Sequence, residues 1–588
     1  TARVQLIVTL GDRRATQAVK PLEPLTRDAD PNTREAAIGA LGKIASPEAL
    51  ALLTNLRRDA NTEIARLATL ASLAAADTAA LNRANAVSAS IYEELLASSQ
   101  PLYVRRAALE GLLRTDADGG EQRTLKVLRG TDAALKPSAL FHVRTLRSPN
   151  ASTLFAAELP HLTPNERVLL IDSLAARNDA AARQAIVAQT QAQDETVRQA
   201  AVVALVEVGD ASVVPVLAQL WPTSPAPQQQ AIEMAIASLK GGDQVDREII
   251  RSLESSPAAA RPGLINAAAR RGTKSAVPAI LTLAASADAP TARAAFRALG
   301  QLAEPSSLPA LLRQLLDLKA PAARGDAESA AMKVLERDAD ANHRAQVVLQ
   351  ALTQAKDSTA RASLVALLPA CGNERALEAV KAERASPDAA LRDAALRALA
   401  DWPDAAAIDT LLAEAEQASQ ITARLLALRG AVRLLPSSEL APAGIHSRFQ
   451  RAWALARDAG EKKLVLSGLA RTQHAFALEM LIPQLNNPDV RAEAVQAALA
   501  LSRRLCGAYP EPTKAVLQQL VNLPIEPAVQ KTAADLLETM GKFNDFILAW
   551  QVAGPFVEEG KSGETLFDVV FPPEQVGALT MPDRKSVV

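Results

Sequence analysis

The chain runs to 588 residues, 49% of them hydrophobic and only 3% aromatic, with 64 Lys and Arg against 65 Asp and Glu for a net charge of −1. That balance excludes the basic stripe of a non-specific nucleic-acid binder, and no uninterrupted apolar run approaches the roughly 18–20 residues of a membrane span. With so few rings the interior has to be built from Ala, Leu, Val and Ile, and the surplus of helix formers points to an all-α fold.

From the N-terminus onward a basic residue is followed seven positions later by an apolar one, and the pair returns every 31 or 32 residues. The register runs Arg3, Arg34, Arg66, Arg105, Lys136, Arg167, Arg198, Gln230, Arg261, Arg293, Glu328, Arg361, Arg392, Arg424, Lys463, Arg491 and Gln530; fourteen of these seventeen are Arg or Lys. A fixed period of this length marks stacked two-helix units. Residues 30–58 show how one is built. Asp30 is an N-cap and Pro31 takes the first helical position, where its missing N–H costs nothing. Ala37, Ile38, Leu41 and Ile44 recur at helical spacing as the buried stripe. Ser46-Pro47 breaks that helix and opens a second, 48 to about 58, with Leu50, Leu52, Leu53 and Leu56 facing inward. The same grammar returns at 194–205, 387–399 and 487–491.

The period stretches to 39 residues between Arg66 and Arg105, Arg424 and Lys463, and Arg491 and Gln530. Extra residues in a repeat map to loops on one face, so loops are expected there. Trp221 closes a second helix over 213–221, just before Pro222. Tryptophan is enriched at interface hot spots, which makes Trp221 the candidate partner-binding residue; the competing reading is a filler between repeats. Phe449 and Trp453, spaced i and i+4, read as core. Cys371 and Cys506 lie 135 residues apart, too distant in a stack of repeats for a disulfide. After Met540-Gly541 the grammar changes. Residues 546–556 and 565–574 are apolar, aromatic and β-branched with Gly/Pro punctuation, which reads as strand.

The start D-P-x-x-[VL]-R and the core A-x-x-A-L, present in many units over about residues 1–541, resemble the HEAT repeat in the shorter form also seen in phycobilisome-lyase-type proteins. The resemblance implies an α-α superhelix, a HEAT/armadillo-like solenoid of about 17 two-helix repeats. It also implies a convex layer of first helices, a concave partner-binding layer of second helices, and a repeated Arg paired with the capping Asp of a neighbouring repeat. The run W-Q-V-A-G-P-F at 550–556, followed by L-F-D-V-x-F-x-P-E, resembles the opening of a β-sandwich module that follows HEAT repeats in large, often exported bacterial multidomain proteins. The expected organisation is a solenoid at 1–541, the truncated start of that module at 542–582, and a non-native tail at 583–588. Those last six residues are what a common sequencing adapter encodes, so the natural chain is expected to continue past about Met581.

Chemistry-bearing patterns are sparse. Gly560-Lys561-Ser562 follows Gly554 with five residues between the glycines where a phosphate loop needs four, and Glu558-Glu559 would set two carboxylates beside the phosphates. The five histidines, His142, His161, His343, His446 and His474, fall in different repeats, and neither cysteine belongs to a C-x-x-C pair. No metal site or covalently held haem is therefore expected. No G-x-S-x-G elbow or dinucleotide fingerprint occurs, and no catalytic or cofactor-binding residue is assigned. The expected function is a non-enzymatic scaffold whose concave face holds a protein partner. The rivals are a positioning arm of a larger exported bacterial enzyme with carbohydrate-related chemistry in a missing C-terminal part, a lyase-type protein, and a nucleic-acid-binding HEAT protein, which the charge balance opposes. Carbohydrate contact is expected only through the missing module; compartment and oligomeric state stay open.

Overall fold

The computed structural model describes residues 2–116 and 120–542, together with Leu566 and Val570. Among these residues the regular elements are α- and 3-10 helices, with no strand. The fold is an all-α solenoid of helical hairpins, divided into two compact units at residues 1–298 and 299–588. In the first unit the leading helices of successive repeats are Ala2–Asp12, Pro31–Ile44, Thr62–Leu81, Leu102–Thr115, Lys136–His142, Pro164–Arg177, Glu195–Val208, Ala226–Ser238 and Arg261–Arg271. In the second they are Pro321–Leu335, Ser358–Leu367, Ala389–Ala400, Ile421–Leu434, Ala459–Leu469, Arg491–Leu505 and Pro527–Lys542, and Ala289–Leu302 is a further leading helix. Most leading helices are followed by a shorter partner such as Pro47–Leu56 or Glu374–Arg384.

The local chemistry follows the sequence. Asp30 caps Pro31–Ile44 by accepting from the N–H groups of Asn32 and Thr33 at 3.3 and 3.1 Å, and Ser46 caps Pro47–Leu56 through the Ala49 N–H. Ala37, Ile38, Leu41 and Ile44 are buried. Successive leading helices come very close. A Cβ added to Gly42 would sit 2.5 Å from the Ala71 carbonyl oxygen, so only glycine permits that approach.

The ladder implied by the resemblance is not what holds the repeats. Asp30, Asp194 and Asp388 accept from their own helices' first N–H groups, which leaves the repeated arginine to other work. That work is carbonyl capture. Arg34 donates to Asp28 O at 2.8 Å, and Arg198 to Ala192 O and Gln193 O at 2.8 and 2.7 Å. Arg392 donates to Ser386 O and Pro387 O at 3.0 and 2.7 Å. Each set lies in the turn entering the arginine's own helix, where carbonyls lack helical partners. The same geometry corrects the register at two units. Gln229, not Gln230, donates to Trp221 O at 3.0 Å, and Arg324, not Glu328, donates to Leu318 O. Some register residues do reach acids of the next repeat, including the buried pair Arg424–Glu461 at 2.5 Å.

A second basic set, nine to thirteen residues further on, closes the other end of the leading helices. Arg271 donates to the carbonyls of Ala237, Leu239 and Gly242 at 3.0, 2.7 and 3.2 Å. Arg433 donates to Ala400 O and Trp402 O at 2.9 and 2.5 Å, and Arg337 to Ala303 O and Gly300 O at 2.6 and 2.5 Å. Arg177 and Arg504 do the same to Val143 O and Ala470 O. In each case the next repeat seals the C-terminus of the helix before it, where a cation also meets the negative end of the helix dipole.

The stretched periods are accommodated mainly as helix. Thr62–Leu81 has 20 residues, and the second helices Pro442–Leu455 and Pro510–Asn522 have 14 and 13 where Pro47–Leu56 has 10. The expectation of loops there is corrected accordingly. Thr62–Leu81 is also long and apolar enough by composition to cross a membrane, yet half of it is buried in the solenoid. Phe449 is fully buried and Trp453 only partly so. The strand segments at 546–556 and 565–574, and the boundaries at 542–582 and 583–588, lie outside the described residues apart from Lys542, Leu566 and Val570.

Two outcomes are expected. Leu205, with Ala201 and Val202 beside it, is fully buried, so Leu205→Ala should cost about 2–5 kcal/mol. Because repeats couple to their neighbours, hydrogen exchange should quicken in the repeats flanking 195–208 and stay unchanged near 491–505. The second concerns acid. The Thr33 hydroxyl, the Thr196 hydroxyl and the Ser358 hydroxyl, respectively, lead the contacts that hold Asp30, Asp194 and Asp388 below the usual aspartate range. A depressed folded-state value means the caps are intact at neutral pH and are lost as pH falls below about 4. An acid titration of helicity should show less loss in the Asp30→Asn/Asp194→Asn/Asp388→Asn chain, whose caps do not titrate.

Candidate protein-binding site

Trp221 stands at the end of the second helix Val214–Leu220, which begins with the 3-10 turn Ala211–Val213. Asp210 caps that turn, accepting from Ser212 N and Ser212 Oγ at 2.9 and 2.6 Å and pairing with Arg183. The Ser212 hydroxyl is the main reason its carboxyl titrates low. Leu217 and Ala218 bury the helix, and Pro222 then stops it in a second 3-10 turn, Trp221–Thr223. The Thr223 and Ser224 hydroxyls both donate back to Leu220 O.

The indole is fixed on two sides. Its Nε1 donates to Glu233 Oε1 at 3.2 Å, and its ring lies on the backbone of Gly263, where an added Cβ would fall 2.6 Å from Cδ1. Glu233 is a buried carboxylate with two further donors, Asn266 Nδ2 at 2.8 Å and Arg270 Nε at 3.4 Å. Trp221 therefore does fill a gap between repeats, and it remains partly exposed while doing so.

The surface around it is unusual. Residues 211–232 form 22 consecutive positions without Asp, Glu, Lys or Arg, in a chain that is 22% charged. Pro222, Thr223, Pro225, Ala226 and Pro227 are exposed within that run. On the adjacent leading helices Val203 and Met234 are 58% and 53% exposed. The gap in charge is legible in the sequence and is the signal that spacing arguments passed over.

Other chemistry-bearing residues gather only loosely. Among the described residues no three His, Cys, Asp or Glu side chains converge as a metal-holding group. Burial pushes the Cys371 thiol up to about 12, and burial also lowers His142. His446, Phe476, His474 and Tyr509 form a continuous row of rings that spacing in the chain does not foretell, with successive centroids 4.8, 5.1 and 5.2 Å apart. His474 and Phe476 sit at the start of one second helix, and His446 and Tyr509 come from the second helices on either side, so only the repeat period brings the three helices' rings together.

The family model for HEAT repeats matches residues 1–74 and 153–237, and the second match contains Trp221. Both matched segments lie in the first unit, where the match agrees with the stacked helical hairpins. Solved structures with a broad but loose likeness include Kap95p with RanGDP, at 12% identity over 91% of this chain and 84% of that one, TM-score 0.36. Importin beta matches at 13% identity over 92% and 81%, TM-score 0.36. Kap121p bound to the SUMO protease Ulp1p matches at 12% over 89% and 70%, TM-score 0.36. No curated protein matches the chain by sequence.

Gly263→Ala tests the seat of the indole. The new methyl has to displace the ring, at a cost of about 1–3 kcal/mol. Denaturant unfolding should register that loss together with a change in tryptophan emission.

Proposed function

We propose that the chain is a non-enzymatic, protein-binding scaffold and that Trp221 with the 221–227 turn is a contact point for a protein partner. We read residues 1–541 as the scaffold. The observation that carries this is the uncharged run at 211–232, exposed at Pro222, Pro225 and Pro227 and anchored by a tryptophan. The cores of protein interfaces are depleted in charge and enriched in aromatic residues. An indole already immobilised by Glu233 and Gly263 has little conformational freedom left to lose on binding. Hot spots of this kind dominate binding energy.

The test is quantitative affinity capture with the full chain, from an extract of the source organism. Trp221→Gln should lower retention of a specific protein at least about tenfold, equivalent to about 1.4 kcal/mol. A second variant, Pro225→Ser/Pro227→Ser, leaves the indole seat untouched and should weaken capture in the same direction. Leu81→Gln, an exposed apolar site elsewhere (76% exposed), should not. Equal capture by all four chains would remove Trp221 from the interface.

A further inference from the structure

The repeated arginine departs from carbonyl capture at several units, pairing with acids at Arg3, Arg66, Arg105 and Arg424, and the departure at Arg261 coincides with a groove. Arg34, Arg198, Arg324 and Arg392 spend their guanidinium groups on carbonyls of the entering turn. Arg261, at the same register, makes no such bond; its Nε is buried without a partner, as that of Arg34 also is, but Arg34 still holds a carbonyl through its Nη1. It opens the helix Arg261–Arg271 and lines a groove of about 440 Å³ at the ends of the second helices Asp243–Ser255 and Val277–Ala284. Leu253 and Leu283 supply apolar wall, and Thr282 and Ser286 supply hydroxyls. The volume falls in the usual range for ligand sites.

The charge pattern selects the occupant. A guanidinium prefers a carboxylate, which it can bind through two parallel hydrogen bonds. Arg261 also sits at the positive end of its helix, so a cation there gains from an incoming anion. Glu254, at the rim, narrows the choice: it repels an extended polyanion such as nucleic acid and tolerates a single carboxylate placed on the Arg261 side. We propose that this groove binds an aspartate or glutamate side chain of a protein partner, flanked by an apolar residue that rests on Leu253 and Leu283. The proposal rests on the scaffold reading but not on Trp221.

The probe is the peptide acetyl-Leu-Glu-Leu-amide, with acetyl-Leu-Gln-Leu-amide as its neutral match. Phenylglyoxal labelling of the full chain, read by mass spectrometry, should modify Arg261 about tenfold faster than Arg198, whose guanidinium is held by two carbonyl bonds. The glutamate peptide should protect Arg261 and spare Arg198; the glutamine peptide should protect neither. Arg261→Met should abolish the difference in binding between the two peptides, while Trp221→Gln should preserve it. Labelling of Arg261 as slow as that of Arg198, or equal protection by both peptides, overturns the assignment. Loss of Trp221-dependent capture with protection intact would count against the Trp221 contact alone.

Discussion

Stacking helical hairpins creates a recurring problem: every helix ends in carbonyls that have no partner, and in a solenoid those ends abut the next repeat. Here guanidinium groups answer it from two directions. One arginine takes the carbonyls of the turn that enters its own helix, as Arg198 does. Another takes the carbonyls at the end of the preceding leading helix, as Arg271 does. Where the following repeat brings no such arginine, an earlier one serves: Arg183 donates to Val208 O at 2.7 Å, and Arg344 to Cys371 O at 3.2 Å. A buried, unpaired carbonyl costs more than a made bond returns, so this pairing is a condition of stacking.

The aspartates that precede the leading helices have a separate task. They cap donors and the arginines cap acceptors, although an arginine can also pair with a capping aspartate, as Arg183 does with Asp210. Among the described residues, that division leaves Arg424–Glu461 as the most deeply buried ion pair. It also frees the stretch from 211 to 232 to do without charge. Its helix is closed by Gln229 on Trp221 O and by the hydroxyls of Thr223 and Ser224, all neutral donors.

Much of the fold was legible in the sequence because its signals are periodic. Asp30-Pro31 and Ser46-Pro47 mark helix starts by chemistry that needs no tertiary context, and Ala37, Ile38 and Leu41 lie where helical spacing puts them. The second arginine set was not legible, because its offset from the first varies between nine and thirteen residues. Helix extension and loop insertion lengthen a period equally, so Pro442–Leu455 could not be told from a loop by counting. At the site, Trp221 was visible as a rare residue. Its seat was not, since Glu233 and Gly263 lie 12 and 42 positions away and neither is distinctive by type.

The contact between Trp221 and Gly263 reaches over an intervening repeat, from the second helix ending at Leu220 to the leading helix Arg261–Arg271. A repeat array can gain or lose one unit in frame where each unit meets only its neighbours and the copies are interchangeable. Across 195–271 that freedom is restricted. Duplicating or excising the hairpin at 226–255 would leave the indole facing the wrong helix, without its glycine. Excision of a unit here would therefore break a contact that no pair of adjacent repeats could restore.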